Sequence, residues 1–469
     1  MRYVSTRGDA PALDFRGATL AGLASDGGLY LPETWPTLSA QEIAGLAGLS
    51  YVDTAVAVMA PFVAGSLTRD ELKALCEAAY GRFSHAAIVP LVQVDHDQWL
   101  MELFHGPTLA FKDVALQLLG QLFQKFLTGT DTRLTIIGAT SGDTGSAAID
   151  AVAGRDGIDI FMLHPEGRVS DVQRRQMTTV IAPNVHNIAI RGDFDTAQGL
   201  VKAMFNNPAF SSRFTLSAVN SINWARLMAQ VVYYFYAAVR LGGPERAVAF
   251  SVPTGNFGDV FAGYVAAKMG LPIAKLVVAT NVNDILARAL STGDYSSREV
   301  IATPTPSMDI QVSSNFERLL FDLGGRDGRA LAAQMKDFER SRAMRLTNAQ
   351  SQGASGLFFS ERVDVDEMAL AMRWASEHSG EVIDPHTAIG LAAARRQAVD
   401  GVPMVTLATA HPAKFRDAVE RATGLRPSLP GRIGDLFDRA ERFDTVDATF
   451  DAVSEYVAAR DPCVRSAWT

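Results

Sequence analysis

From about residue 130 onward, short runs of β-branched and other apolar residues alternate with stretches whose apolar positions recur every three or four residues. The first pattern suits strands buried on both faces, and the second suits amphipathic helices. Strands are expected at Leu134–Gly138, Ile158–Leu163, His186–Ile190, Ala247–Val252, Leu276–Ala279 and Met404–Ala408. Helices are expected over Thr144–Val152, Thr196–Phe205, Trp224–Val239 and Asp259–Met269. The alternation repeats at roughly 30 residues, the length of a strand–helix–strand unit, which predicts an α/β protein built on doubly wound parallel sheets. The first 90 or so residues lack that rhythm. Turn-rich text such as Ser25–Pro32, with a helical stretch at Asp70–Tyr80, predicts a separate N-terminal subdomain. Between Ala302 and Gln311, the run Thr-Pro-Thr-Pro-Ser-Met-Asp-Ile breaks the pattern and predicts a loop on the surface or at the mouth of a cleft.

Composition narrows the classes of function. The chain has 469 residues, 48% of them apolar and 20% charged, which is ordinary for a folded protein and excludes low-complexity readings. Its 43 basic residues stand against 51 acidic ones, a net charge of −8, so no positive field exists to collect nucleic acid or anionic lipid. Cys76 and Cys463 lie far apart and the eight histidines are scattered, so neither a disulfide scaffold nor a metal site is expected. The longest apolar run, Val231–Val239, falls well short of the roughly 18 residues that suggest a membrane span. No secretory signal is legible before Asp9 and Asp14, and a cytoplasmic protein is expected.

The common nucleotide and hydrolase signatures are missing. No P-loop, dinucleotide fingerprint, Gly-x-Ser-x-Gly elbow or His-Glu-x-x-His motif occurs. Two glycine-bearing turns do sit where a strand hands over to a helix: Thr140-Ser-Gly-Asp-Thr-Gly145 and Pro253-Thr-Gly-Asn-Phe-Gly-Asp259. Free N–H groups at such a junction can seat an anion, and the same residues can equally serve as tight turns and helix caps. A third feature is His105-Gly-Pro-Thr-Leu-Ala-Phe-Lys-Asp113, which places Lys112 at the start of an apolar helix. Apolar surroundings disfavour the ammonium form, so the amine becomes available as a nucleophile for an aldehyde; the alternative is a side chain that snorkels to water.

Together these stretches resemble threonine synthase, a pyridoxal-phosphate family with the tryptophan-synthase-β-like fold. The resemblance extends to Gly22–Pro32, Met308–Arg318, Asp384-Pro-His-Thr-Ala-Ile-Gly390 and Leu407-Ala-Thr-Ala-His-Pro-Ala-Lys414. It implies fold type II: an N-terminal subdomain over 1–92, a smaller α/β domain over 93–215 and a larger one over 216–469, with the cofactor between the last two. Lys112 matches the lysine that tethers pyridoxal 5'-phosphate as a Schiff base. Gly255, Asn256, Phe257, Gly258 and Asp259 match the loop around the cofactor phosphate, and Thr409 the partner of the pyridine nitrogen. Ser141, Gly142, Asp143 and Thr144 match the turn that meets the substrate carboxylate; Asp143 stands where the wider class often has asparagine.

The activity so implied is conversion of O-phospho-L-homoserine and water to L-threonine and phosphate, by a monomer or homodimer. For the departing phosphate, Ser313, Ser314, Asn315, Arg318 and Lys414 are the candidates. His105 either shapes the cleft or satisfies a buried hydrogen bond. A phospho-lyase or deaminase using the same lysine, and a catalytically silent cofactor-binding module, are the competing readings.

Overall fold

The computed structural model describes residues 1–217 and 219–460, so Cys463 lies outside the described residues. Strands β1 (Tyr3–Ser5) and β2 (Tyr30–Pro32) pair antiparallel and open a mainly helical N-terminal region. Its helices begin on their own caps. The Ser50 hydroxyl accepts from the Asp53 N–H at the head of Tyr51–Val63, and Thr68 with Glu71 forms a reciprocal box at the head of Arg69–Tyr80. Each satisfies N–H groups that the helix itself leaves unbonded.

The remaining strands are β3 (Leu91–Asp95), β4 (Gln98–Glu102), β5 (Leu134–Ala139), β6 (Ile158–Pro165), β7 (Val185–Ile190), β8 (Thr215–Ser217), β9 (Val248–Pro253), β10 (Ile273–Thr280), β11 (Phe358–Arg362), β12 (Met404–Ala408) and β13 (Asp444–Val446). They form two sheets. One is wholly parallel, in the order β13-β7-β6-β5-β8. The other runs β11-β10-β9-β12-β4-β3 and is parallel except at its β3–β4 edge. All six strands expected from the sequence form, and the four helices expected between them form within two residues of their expected ends.

Sheet membership departs from the expected division of the chain. Residues 91–102, which straddle the expected 92/93 boundary, join the second sheet: β4 pairs with β12, where Met101 faces Leu407, and β3 pairs with β4 at the edge. Likewise β13, expected in the larger domain, adds to β7 of the first sheet. These partners lie hundreds of positions apart, and backbone pairing over that distance leaves no local mark in the text.

Helix Trp224–Arg240 runs through the centre with every side chain from Trp224 to Val239 buried. Trp224 packs against Tyr3, Trp35 and Phe62 at centroid distances of 5.7–6.0 Å, which welds the N-terminal region to the rest. Helices Lys112–Leu127 and Asp143–Val152 lie side by side, so the residues that begin them, Lys112 and Asp143, come together. Their approach depends on Gly120, because a Cβ there would sit 2.4 Å from the Ala151 carbonyl oxygen.

Gly120→Ala is therefore expected to cost about 1–3 kcal/mol as the helices are pushed apart. Thermal unfolding of the full chain measures this, and an unchanged or higher midpoint would refute the close-packing account, since alanine is the better helix former.

Candidate active site

A cavity of about 570 Å³ opens between the two sheets at the ends of β5, β9 and β12. Lys112, Ser141, Asp143, Thr144, Gly255–Asp259 and Thr409 all line it. The Pro-rich stretch contributes Pro306–Val312, so this loop belongs to the cleft wall. Open α/β sheets bind ligands at just such strand ends.

The turn after β9 presents backbone N–H groups to the cavity. Phe257 adopts the left-handed conformation (φ 62°), an uncommon choice for a bulky residue, and helix Gly258–Lys268 begins behind it with no side-chain cap. None of the N–H groups from Gly255 to Asp259 has an acceptor among the described residues. Their carbonyls, by contrast, are pinned from behind. The Ser313 hydroxyl donates to the Gly255 oxygen (2.8 Å), while the Asn315 backbone N–H and side-chain amide both donate to the Asn256 oxygen (3.1 and 2.9 Å). With the carbonyls held outward, the donors form a concave anion seat at a helix N-terminus. A Cβ at Gly255 would meet the Ser307 carbonyl oxygen at 2.5 Å, so the seat also requires glycine there. The Asp259 carboxyl is turned towards the hydroxyls of Tyr233 and Tyr234; burial raises its pKa to about 6 against those donors.

The second turn is organised by Thr140, whose hydroxyl accepts from the N–H groups of Gly142 and Gly145, both at 2.9 Å. Gly142 takes φ 138°, a value for which glycine is suited, and a Cβ there would press on Gln173 at 2.5 Å. The N–H groups of Ser141, Asp143 and Thr144 remain without acceptors among the described residues and make a smaller seat at the next helix N-terminus.

Lys112 is buried at its helix start, with its ammonium 4.6 Å from the Phe111 ring centroid and 3.5 Å from Asp143 Oδ2. Burial lowers its pKa; Asp143 opposes that, and the charges of Lys414 and Arg226 add to the lowering. Lys414 is fully buried and bonds Asp143 Oδ1 at 2.8 Å and the Thr108 carbonyl at 2.8 Å. Burial disfavours the Asp143 carboxylate, but Lys414 and Lys112 outweigh it and hold its pKa below the usual range.

Three residues expected at the departing phosphate lie elsewhere. Ser313 and Asn315 stand behind the β9 turn, as described above, with no part in the cavity wall. Arg318 is fully buried and donates to the carbonyls of Tyr30 (2.8 and 3.1 Å) and Ile222 (2.6 Å) and to Asn315 Oδ1. Its donors are occupied, because a buried guanidinium must find acceptors wherever the fold supplies them. Ser314 bonds the Asn256 side chain, and Lys414 is committed to Asp143. His105 is not in the wall either; its Nε2 lies 2.7 Å from Glu102 Oε2, the hydrogen-bonded alternative. Gly142 likewise shapes its turn without lining the cavity.

The sequence reading missed Arg226. It is buried and lines the cavity; among the described residues it bonds only the Val219 carbonyl (2.9 Å), and its Nε has no partner there. No carboxylate among the described residues neutralises it, and burial lowers its pKa to about 10. A signal existed: Arg226 and Gln230, four residues apart on one helix face, interrupt an otherwise apolar helix, and both reach the cavity. Buried charge without a counter-charge is costly, so the site is built to receive an anion. Two N–H seats and a guanidinium with no carboxylate partner among the described residues, set around a buried lysine, fit an aldehyde that carries a phosphate, which is the chemistry of pyridoxal phosphate.

Comparison with known proteins agrees. Residues 2–80 match the family model for the threonine synthase N terminus, 87–409 that for pyridoxal-phosphate dependent enzymes, and 387–457 that for the threonine synthase C-terminal region. The chain is 53% identical over 461 residues to threonine synthase of Pseudomonas aeruginosa, covering 98% of both chains. Among solved structures, the PLP-bound threonine synthase of Brucella melitensis superposes with a TM-score of 0.96 at 52% identity, covering 98% of this chain and 100% of that one. The yeast threonine synthase structure follows with a TM-score of 0.92 at 39% identity, covering 98% of each. With its cavity, its two anion seats and its buried lysine arranged as that chemistry requires, this chain belongs to the threonine synthase family of pyridoxal-phosphate-dependent lyases.

Proposed function

We propose that this chain converts O-phospho-L-homoserine and water into L-threonine and phosphate, with Lys112 both tethering the cofactor and moving the protons. The observation that carries this reading is a buried lysine with lowered pKa in one cavity with two separate sets of anion donors and a buried arginine that has no carboxylate partner among the described residues. The substrate has two anionic ends and the cofactor has one more, so three negative groups must be accommodated around one amine.

Bound pyridoxal phosphate supplies the electron sink that makes the substrate Cα–H acidic. The N–H groups of Gly255, Asn256, Phe257, Gly258 and Asp259 would hold its phosphate, and the Thr409 hydroxyl would be the neutral partner for its ring nitrogen. The turn that Gly142 shapes would receive the substrate carboxylate on the N–H groups of Ser141, Asp143 and Thr144, which fixes Cα beside Lys112. Lys112 Nζ, which would tether the cofactor at rest, would serve the bound substrate as an uncharged base. It removes the Cα proton and then moves a proton from Cβ, after which phosphate leaves from Cγ. Arg226 is the fixed cation for that leaving group, in the role expected earlier of Arg318. Lys112 returns protons to Cγ and Cα around the addition of water at Cβ.

Purified protein given O-phospho-L-homoserine is expected to release phosphate and L-threonine in equal amounts; 2-oxobutyrate and ammonia in place of threonine would support the lyase reading instead. Lys112→Ala should abolish turnover and covalent capture of pyridoxal phosphate, tested by borohydride reduction and peptide mapping. Capture at another residue would reassign the tether. Arg226→Gln is expected to lower kcat/KM for the phosphorylated substrate by about 100-fold, the loss typical of one hydrogen-bonded charge contact. Its cofactor affinity should change little, and a loss of cofactor affinity with normal kcat/KM would move Arg226 to the cofactor phosphate.

A further inference from the structure

Asp143 is a buried carboxylate shared by two buried lysines, and the two contacts are unequal. Lys414 Nζ sits 2.8 Å from Oδ1, whereas Lys112 Nζ is 3.5 Å from Oδ2. Gln173 also donates to Oδ1, at 2.9 Å. We propose that Lys414 is a positioning residue that takes up the charge of Asp143, so that Asp143 can orient Lys112 without holding it as an ammonium ion. The inference rests on the assignment of Lys112 as the cofactor-tethering base.

Charges must balance inside a low-dielectric site. One carboxylate can neutralise one ammonium group. If Asp143 faced Lys112 alone, the ion pair would be the favoured state, and the amine would be a poor nucleophile and a poor base. Lys414 is placed to prevent this. It is wholly buried and its second bond goes to the Thr108 carbonyl, so it cannot leave for solvent. It stands on the short helix Pro412–Phe415, a few residues beyond the end of β12 and Thr409, and so arrives with the cavity wall itself. With Lys414 charged and Asp143 ionised, the pair is neutral and a deprotonated Lys112 completes an uncharged cluster. The other groups that face Lys112 are Arg226, which disfavours its proton, and Asp259, turned away to two tyrosines. Asp113 lies near Lys414 but is engaged by the Thr108 N–H and hydroxyl at 2.8 and 2.7 Å. Asp143 is thus the carboxylate that both lysines can share.

The test is the pH dependence of covalent capture of pyridoxal phosphate by the full-length chain stripped of cofactor, followed by absorbance. It reads the fraction of Lys112 present as free amine and requires no turnover. Lys414→Met keeps the length of the side chain and removes its charge. It should move the capture profile to higher pH by at least one unit, so that capture is slowed about tenfold at a pH below both midpoints. The double variant Asp143→Asn with Lys414→Met removes both charges and should bring the profile back towards that of the unsubstituted chain. Lys414→Arg, which keeps the charge, should shift it less than Lys414→Met. A merely structural role for Lys414 predicts that the double variant is no better than the single one. That result, or an unshifted profile in Lys414→Met, overturns the proposal. Failure of the unsubstituted chain to capture pyridoxal phosphate at residue 112 would instead overturn the reading on which it rests.

Discussion

A free amine must persist next to a carboxylate in the interior of this protein, and much of the site is arranged around that requirement. Lys112 is removed from water by its position at the start of a buried helix, which favours the neutral form. Asp143, which orients it, pulls the other way. Lys414 and Arg226 add positive potential without touching Lys112. Each contribution is an ordinary effect of burial or charge, and they act together because three distant parts of the chain converge on one cavity.

The same logic of divided labour governs the phosphate seat. Backbone donors bind an anion only when their own carbonyls are turned elsewhere. Here the segment from Ser313 to Arg318 holds those carbonyls, and Arg318 holds that segment to Tyr30 and Ile222. A residue type that suggests direct phosphate recognition therefore works one layer back. It ties the N-terminal region to the seat, whereas Arg226, a buried guanidinium that does reach the cavity, comes from the central helix. Rigid support of this kind is what keeps a constellation of donors at fixed distances during turnover.

Much of this was legible in the text because it is local. Strands buried on both faces, amphipathic helices, the glycine turns at two strand–helix junctions and the lysine at a helix start are patterns within a dozen residues. Their residue types limit the backbone conformation directly, and the family resemblance of those same stretches gives them a chemical meaning. Lys112, the two turns and Thr409 are therefore gathered into one expected site by the sequence alone.

What only the tertiary structure decided is which charges face one another. The partners of Asp143, the withdrawal of Arg318 behind the loop, the exposure of Arg226 to the cavity and the membership of β3, β4 and β13 all depend on contacts between segments far apart in sequence. A charged residue has the same letter whether it binds a ligand or braces a loop. Its role is set by which acceptors the folded chain brings within about 3 Å of it, and that distance is not written in any local pattern.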